Sequence, residues 1–88
     1  KDSDEHGQHV PIGEGNGDAR RILADAVKRG WSGPLSLEPH LRHSAAVLAT
    51  HAGGSENQSF QEMSRRDVFN VAAEAAISLL GELKAPVA

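Results

Sequence analysis

The apolar residues of this chain of 88 residues lie in three separated pieces, and this distribution limits what the chain can fold into. Residues 1–20 and 51–66 contain few apolar side chains. The remaining pieces predict two amphipathic helices and one short strand. Because one strand cannot form a sheet, and because parallel strands need helices on both faces, we expect other polypeptide to complete the fold. The start at Lys1, within a polar stretch, leads us to expect more sequence upstream.

The composition excludes several classes of function. The chain has no cysteine, which excludes disulfides, thiolate zinc sites and cysteine nucleophiles. Its formal net charge of −3 gives no basic surface for a nucleic-acid backbone. No apolar run approaches the roughly 18 residues of a membrane span. We therefore expect a soluble, cytoplasmic protein that binds neither nucleic acid nor membrane.

Residues 18–29 are predicted to form an amphipathic helix. The apolar residues of this segment recur at helical spacing: Ile22, Leu23, Ala26 and Val27. Gly17 or Asp18 can cap the start of this helix. Gly30 fits the position just after its end, where a left-handed backbone is common.

The next segment, with the sequence PLSLEP, is predicted to form a short strand. Leu35 and Leu37 alternate with Ser36 and Glu38, and Pro39 blocks continuation. Ser36 and Glu38 are therefore expected on the same face. A helix, a glycine turn and a strand in this order are typical of the second half of a βαβ unit.

Residues 64–84 are predicted to form a second, longer amphipathic helix. Its polar side chains recur every three or four residues, and apolar side chains fill the other side. Ser64 with Asp67 makes a start like a capping box, and Pro86 supplies the stop. Residues 51–64, rich in Gly, Ser and Asn, are predicted to form a flexible loop.

Three segments in this order carry a family resemblance. They are KDSDEHGQHVPIGEGNGD at residues 1–18, the helix that follows, and GPLSLEPHL at residues 33–41. The set resembles the C-terminal end of the sugar phosphate isomerase/epimerase family of xylose-isomerase-like TIM barrels. The resemblance implies an α/β fold in which residues 1–88 form one partial domain, the C-terminal fragment of a (β/α)8 barrel. That fragment would comprise the end of strand 7 at Lys1 and Asp2, helix 7, strand 8 and helix 8.

The resemblance also implies a metal-dependent enzyme that acts on a sugar or sugar phosphate. Family members hold one divalent cation, often manganese or magnesium, and the last glutamate ligand of that set matches Glu38, which would also act as acid and base. In such a barrel His6 and His40 lie where substrate is contacted. The other metal ligands match no residue of this chain, so we expect these 88 residues to be inactive and metal-free by themselves, and to form homo-oligomers.

Other polar patterns have simpler interpretations. Gly13, Gly15 and Gly17 precede a helix, but their spacing differs from the dinucleotide fingerprint, and we interpret them as a loop with residues at positive φ. A loop that also touches substrate is the alternative. Of the five histidines, His40 and His43 are three residues apart, but the sequence predicts no clear helix there and places no carboxylate or thiolate at a ligand-like offset, so we do not interpret them as metal ligands. We interpret the three acidic residues near the start as part of a solvated turn: Asp2, Asp4 and Glu5.

A function from a different class fits the same residues. The chain could be a small, non-catalytic α/β interaction module that self-assembles through the apolar faces of its helices. The order of the motifs favours the enzyme. The incomplete ligand set and the single predicted strand favour the module.

Overall fold

Two short strands at the start of the chain and the helices that follow them make up the described fold. The structure is a computed structural model that describes residues 1–42 and 58–85. Strand β1 (Asp2–Ser3) pairs with strand β2 (His9–Val10) as an antiparallel hairpin. The described helices are α1 (Ala19–Lys28), α2 (Gln58–Gln61) and α3 (Arg65–Glu82).

A tight turn joins the two strands of the hairpin. Asp2 lies opposite Val10, and Ser3 lies opposite His9. The turn uses Gly7, whose φ of 77° lies in the left-handed region that glycine adopts without a steric cost. Because the chain reverses within a few residues, the two strands pair antiparallel.

Both helices predicted from the sequence are confirmed. At the end of α1, Gly30 adopts a φ of 75° and donates its N–H to the carbonyl oxygen of Val27 at 3.0 Å. At the start of α3, the Oγ of Ser64 accepts the N–H of Asp67 at 3.1 Å. The start of α1 differs from the expectation, because Asp18 precedes it in a left-handed conformation and makes no side-chain cap hydrogen bond.

An apolar core lies between α2, α3 and the segment that follows Pro39. Its buried side chains are Leu41, Val68 and Ala72, and the partly buried side chains around them are Phe60, Met63 and Val71. Leu41 is only 2% exposed. The side-chain amide of Gln61 donates to the carbonyl oxygen of Leu41 at 2.7 Å, which ties this segment to α2.

The second half of α3 meets the loop before α1. Leu79 is buried, and Gly13 lies so close that a Cβ on it would be 3.5 Å from Cδ2 of Leu79. Arg20 of α1 and Glu82 of α3 form an ion pair with 2.6 Å between Nη1 and Oε2. Helix α3 therefore contacts both the apolar core and the N-terminal part of the chain.

The prediction of a TIM barrel fragment is wrong. Residues 34–39 form no strand, and among the described residues β1 and β2 pair only with each other. Backbone groups of a strand need a neighbouring strand as their hydrogen-bond partner, and the described part of the chain places none beside Leu35 and Leu37. The expected end of strand 7 at Lys1 and Asp2 instead lies in an antiparallel hairpin.

The predicted flexible loop and the expected absence of a membrane span can each be compared with the described residues only. Residues 51–57 of the loop predicted at residues 51–64 lie outside the described residues. The remaining part of that segment contains α2 and Ser64, the capping residue of α3. No helix in the described part of the chain is long and apolar enough to cross a membrane.

Candidate functional site

Glu38 and His40 form a close pair on either side of Pro39. The Nε2 atom of His40 lies 3.3 Å from Oε1 of Glu38. Both side chains are accessible, with 70% of the Glu38 side chain and 40% of the His40 side chain exposed. His40 has a φ of 52°, in a region that residues other than glycine adopt rarely and that is found at functional sites. The structure thus brings together two of the site residues that the sequence suggested.

The ring of His9 lies edge-on against the ring of His40. The two ring centroids are 5.5 Å apart, and the ring planes meet at 82°. Because His9 belongs to β2, the hairpin contributes a third polar side chain beside Glu38 and His40. Sequence reasoning missed His9, since strands of two residues are too short to give a period in the sequence.

The carboxylate of Asp2 joins the hairpin to the glycine loop. Only 4% of Asp2 is exposed. Its Oδ1 accepts the N–H of Ser3 at 2.9 Å and the N–H of Gly17 at 3.0 Å. Its Oδ2 accepts the N–H of Gly13 at 3.0 Å and the N–H of Gly15 at 3.2 Å. The interpretation of Asp2 as part of a solvated turn is therefore wrong, because four backbone donors take the place of water around it.

The hydrogen bonds to Asp2 also determine its charge state. Burial raises the pKa of the Asp2 carboxyl, but the N–H groups of Gly17, Gly13, Ser3 and Gly15 outweigh burial and hold the pKa below its ordinary value of 3.8. Asp2 is therefore ionised at neutral pH. A negative charge strengthens each of the four hydrogen bonds that it accepts.

The glycine loop leaves no room for side chains beside Asp2. A Cβ on Gly15 would overlap the carbonyl oxygen of Ser3, and a Cβ on Gly17 would lie 2.7 Å from Oδ1 of Asp2. Gly13 adopts a φ of 91°. The alternate glycines are the signal that sequence reasoning could have used, because each sends its N–H to the same carboxylate. Those three N–H groups bind Asp2, which supports a structural interpretation of the loop.

His6 lies in the turn of the hairpin, at the surface. Its Nε2 is 3.5 Å from Oε1 of Glu5, and 73% of the His6 side chain is exposed. Within the described part of the chain, no hydrogen bond or ion pair joins His6 to Glu38 or His40. The residue that contacts the Glu38 and His40 pair from the hairpin is His9 instead.

The described residues do not form a divalent metal site by themselves. No group of three or more His, Asp or Glu side chains within residues 1–42 and 58–85 could hold a metal ion. Glu38 offers the carboxylate oxygen that Mn²⁺ and Mg²⁺ prefer, but one carboxylate does not retain a hard cation against water. What Glu38 and His40 can supply from their own side chains is proton transfer.

Apolar side chains are exposed elsewhere on the molecule. A groove of about 590 Å³ is lined by residues of α1, of the segment after it and of the end of α3. Trp31 and Leu35 line this groove and are 57% and 53% exposed. The helices expose three more large apolar side chains, each 60% or 61% exposed: Ile22, Phe69 and Ile77.

The candidate site thus combines residues from two parts of the chain. Glu38 and His40 are near neighbours in sequence, whereas His9 is brought to them by the hairpin. The role of these side chains has to be inferred from their contacts and from the order of the sequence segments. No family model, no curated protein and no solved structure matches the chain.

Proposed function

We propose that the chain carries part of the active site of a sugar or sugar phosphate isomerase or epimerase, in which Glu38 and His40 move a proton next to a carbonyl group. The contact of 3.3 Å between His40 Nε2 and Glu38 Oε1 is the observation that carries this proposal. Both side chains are exposed, so a small polar substrate can reach them. In the same proposal, the protein is cytoplasmic.

The proposed reaction begins with the Glu38 carboxylate as general base. Glu38 accepts the proton from the carbon next to the carbonyl, and the electron pair of that C–H bond forms the double bond of an enediolate. Negative charge develops on the former carbonyl oxygen. Once Glu38 has taken the proton and is neutral, the N–H at His40 Nε2 donates its hydrogen bond to that oxygen instead of to Glu38. In isomerisation the proton goes from Glu38 to the former carbonyl carbon, while the hydroxyl proton of the adjacent carbon is lost and the former carbonyl oxygen takes up a proton from solvent. In epimerisation the original carbon takes a proton from water at its other face, and Glu38 releases its proton to solvent.

A divalent cation, manganese or magnesium, is implied by the sequence resemblance, but the described residues do not form a site for it. Glu38 alone offers a ligand of the right type at this place, and further ligands would come from polypeptide beyond the described residues. We therefore assign no step to the metal. For the same reason we expect the 88 residues, taken by themselves, to show no turnover.

Exchange of carbon-bound protons with solvent tests the proposal. The polypeptide, as its gene encodes it, is incubated in deuterated water with saturating Mn²⁺ and a panel of aldoses, ketoses and their phosphates, and deuterium incorporation is followed by NMR. Glu38→Gln keeps the shape of the side chain but cannot accept the proton. We expect it to lower turnover by about 10²–10⁴-fold.

A matched control exists in the hairpin turn. Glu5 lies 3.5 Å from His6, so it forms a carboxylate and imidazole pair of similar geometry at another place. We expect Glu5→Gln to leave turnover within about threefold of the parent. Turnover of Glu38→Gln within that range at saturating Mn²⁺ would overturn the assignment of Glu38 as the base.

Self-assembly is the second candidate function, and the exposed apolar side chains favour it. Phe69 and Ile77 on α3 are each 60% exposed, and Trp31 is 57% exposed. Contact with a second copy of the chain would remove their apolar surface from water. The partner in this candidate is a second copy of the chain, and the assembly needs no catalytic residue.

Sedimentation equilibrium at micromolar concentration tests this second candidate. We expect a dimer or larger assembly for the parent chain, and a monomer for a variant that carries both Phe69→Ser and Ile77→Ser. Asn70→Ser, which changes a polar exposed neighbour, is the control and keeps the assembly. A folded monomer for the parent chain contradicts self-assembly and leaves the enzyme proposal unaffected.

A further inference from the structure

The hairpin that carries His9 has very short strands and is held largely by hydrogen bonds of its turn and of the glycine loop. Each of its strands has two residues, whereas stable strands in proteins are usually longer. The Asp2 carboxylate adds hydrogen bonds from Gly13, Gly15 and Gly17, which follow β2 in the chain. The Ser3 carbonyl oxygen accepts a further bond from the N–H of Asn16 at 2.7 Å. These bonds fix the end of β2 that leads into the glycine loop.

The contacts continue from this hairpin to the proposed site. Asp2 is the cross-strand partner of Val10, the residue next to His9. The His9 ring then packs edge-on against the His40 ring. His40 in turn lies beside Glu38. The Asp2 carboxylate thus belongs to the same hairpin as His9, and His9 contacts His40, which lies beside Glu38.

We propose that Asp2 is a positioning residue for the site of Glu38 and His40: its carboxylate fixes the glycine loop to the hairpin and thereby places the His9 ring against the His40 ring. The role in catalysis rests on the proposed function. Asp2 itself touches no substrate and acts through His9. The His9 ring restricts rotation of the His40 ring, whose Nε2 has to stay beside Glu38.

Asparagine at position 2 separates the effect of the carboxylate from the effect of side-chain size. Asp2→Asn keeps one oxygen but replaces the other with an NH₂ group that points at N–H donors and cannot accept from them. Asp4→Asn is the matched control in the same hairpin. A single oxygen of Asp4, Oδ1, accepts the N–H groups of both His6 and Gln8, so asparagine can keep both bonds.

The contact between the two imidazole rings is measured directly. In the chain with labelled histidines, we expect a nuclear Overhauser cross-peak between ring protons of His9 and His40. We expect Asp2→Asn to lose this cross-peak while the helical circular dichroism signal is kept. Asp4→Asn should keep both. A cross-peak that survives in folded Asp2→Asn overturns the proposal.

Chemical rescue decides the case in which Asp2→Asn fails to fold. Asp2→Gly removes the side chain and leaves a cradle of N–H groups that formate, with the same two carboxylate oxygens, can enter. We expect added formate to restore the ring cross-peak of Asp2→Gly in a saturable way, and added chloride not to do so. No restoration at saturating formate, or equal restoration by chloride, overturns the proposal.

This experiment and the test of the proposed function can fail separately. The ring contact is read from the spectrum and needs no turnover. If the gene product shows no isomerase or epimerase activity but Asp2→Asn loses the cross-peak, Asp2 still positions His9 and only the catalytic role is lost. If turnover depends on Glu38 and the cross-peak does not depend on Asp2, only the positioning role is wrong.

Discussion

The hairpin and glycine loop at residues 2–17 and the apolar core on α3 are held together by different interactions. In the hairpin and loop, a buried carboxylate accepts four backbone N–H groups. In the apolar core, Leu41, Val68 and Ala72 are buried against one another. The first region has few apolar side chains to bury, and the second has the periodic apolar face of a helix.

The two kinds of interaction have different structural effects. Hydrogen bonds to a charged group are directional, so Asp2 fixes the places of particular backbone atoms. Apolar burial has no direction, and it stabilises the core in proportion to the area removed from water. The proposed site takes side chains from both regions: His9 belongs to the hairpin, and His40 is next in sequence to Leu41 of the apolar core.

The largest loss of stability is expected from the apolar core. Leu41→Ala removes a side chain that is 2% exposed and leaves a cavity against α3, which should cost about 2–5 kcal/mol. Leu35→Ala is the control, because Leu35 is 53% exposed, and it should cost less than about 0.5 kcal/mol. Urea unfolding of both variants gives the two free energies, and equal values would show that Leu41 is not a core residue.

A smaller loss is expected from a methyl group in the glycine loop. A Cβ at Gly15 would overlap the carbonyl oxygen of Ser3, so Gly15→Ala forces the loop away from the hairpin. We expect a cost of about 1–3 kcal/mol. Glu14→Ala, at the exposed neighbouring position, should be close to neutral. A Gly15→Ala chain as stable as Glu14→Ala would mean that the loop does not need close approach to β1.

Acid should affect the hairpin and loop before the core. The pKa of Asp2 is lower in the folded chain than its ordinary value of 3.8, so the folded state favours the ionised carboxylate. This contribution is complete above 3.8 and decreases as the pH falls from there through the lower folded pKa.

Amide exchange resolves this acid effect by region. As the pH falls below 3.8, exchange at Gly13, Gly15 and Gly17, corrected for the intrinsic rates, should rise more than exchange at Ala72 of α3. Asp2→Asn should remove this pH dependence, because no carboxyl is left to titrate. An equal rise at all four amides would show that acid acts on the whole fold rather than on Asp2.

The same difference explains what could be predicted from the sequence. Helices α1 and α3 were predictable because their apolar spacing and their caps are local, as in the bond from Asp67 N–H to Ser64 Oγ. The cradle around Asp2 was not, since its bonds join residues 11, 13 and 15 positions apart, and the alternation of the three glycines does not indicate which side chain they bind. Asp2 therefore looked like a solvated acidic residue.

The candidate site was predictable in part for the same reason. Glu38 and His40 were expected at the site because of the family resemblance, and they lie two positions apart on either side of Pro39. Their direct contact depends on the left-handed backbone of His40, which the sequence does not indicate. His9 reaches His40 through the hairpin, and that hairpin has strands of two residues. The strand predicted from alternating Leu35 and Leu37 failed because alternation gives no information about a partner strand.

The smallest expected effect is a gain in stability rather than a loss. It tests whether a glycine of α3 has the same role as the glycines of the loop beside Asp2. Gly81 lies near the end of α3, where a Cβ would meet no atom within 4 Å among the described residues, apart from the adjacent backbone of α3 itself. Alanine loses less backbone entropy than glycine on entering a helix, so Gly81→Ala should raise the free energy of unfolding by about 0.5 kcal/mol. Gly15→Ala provides the contrast, because there the missing Cβ is a steric requirement. Thermal unfolding of the two variants side by side should give shifts of opposite sign, and a loss of stability in Gly81→Ala would show that the end of α3 also needs its glycine.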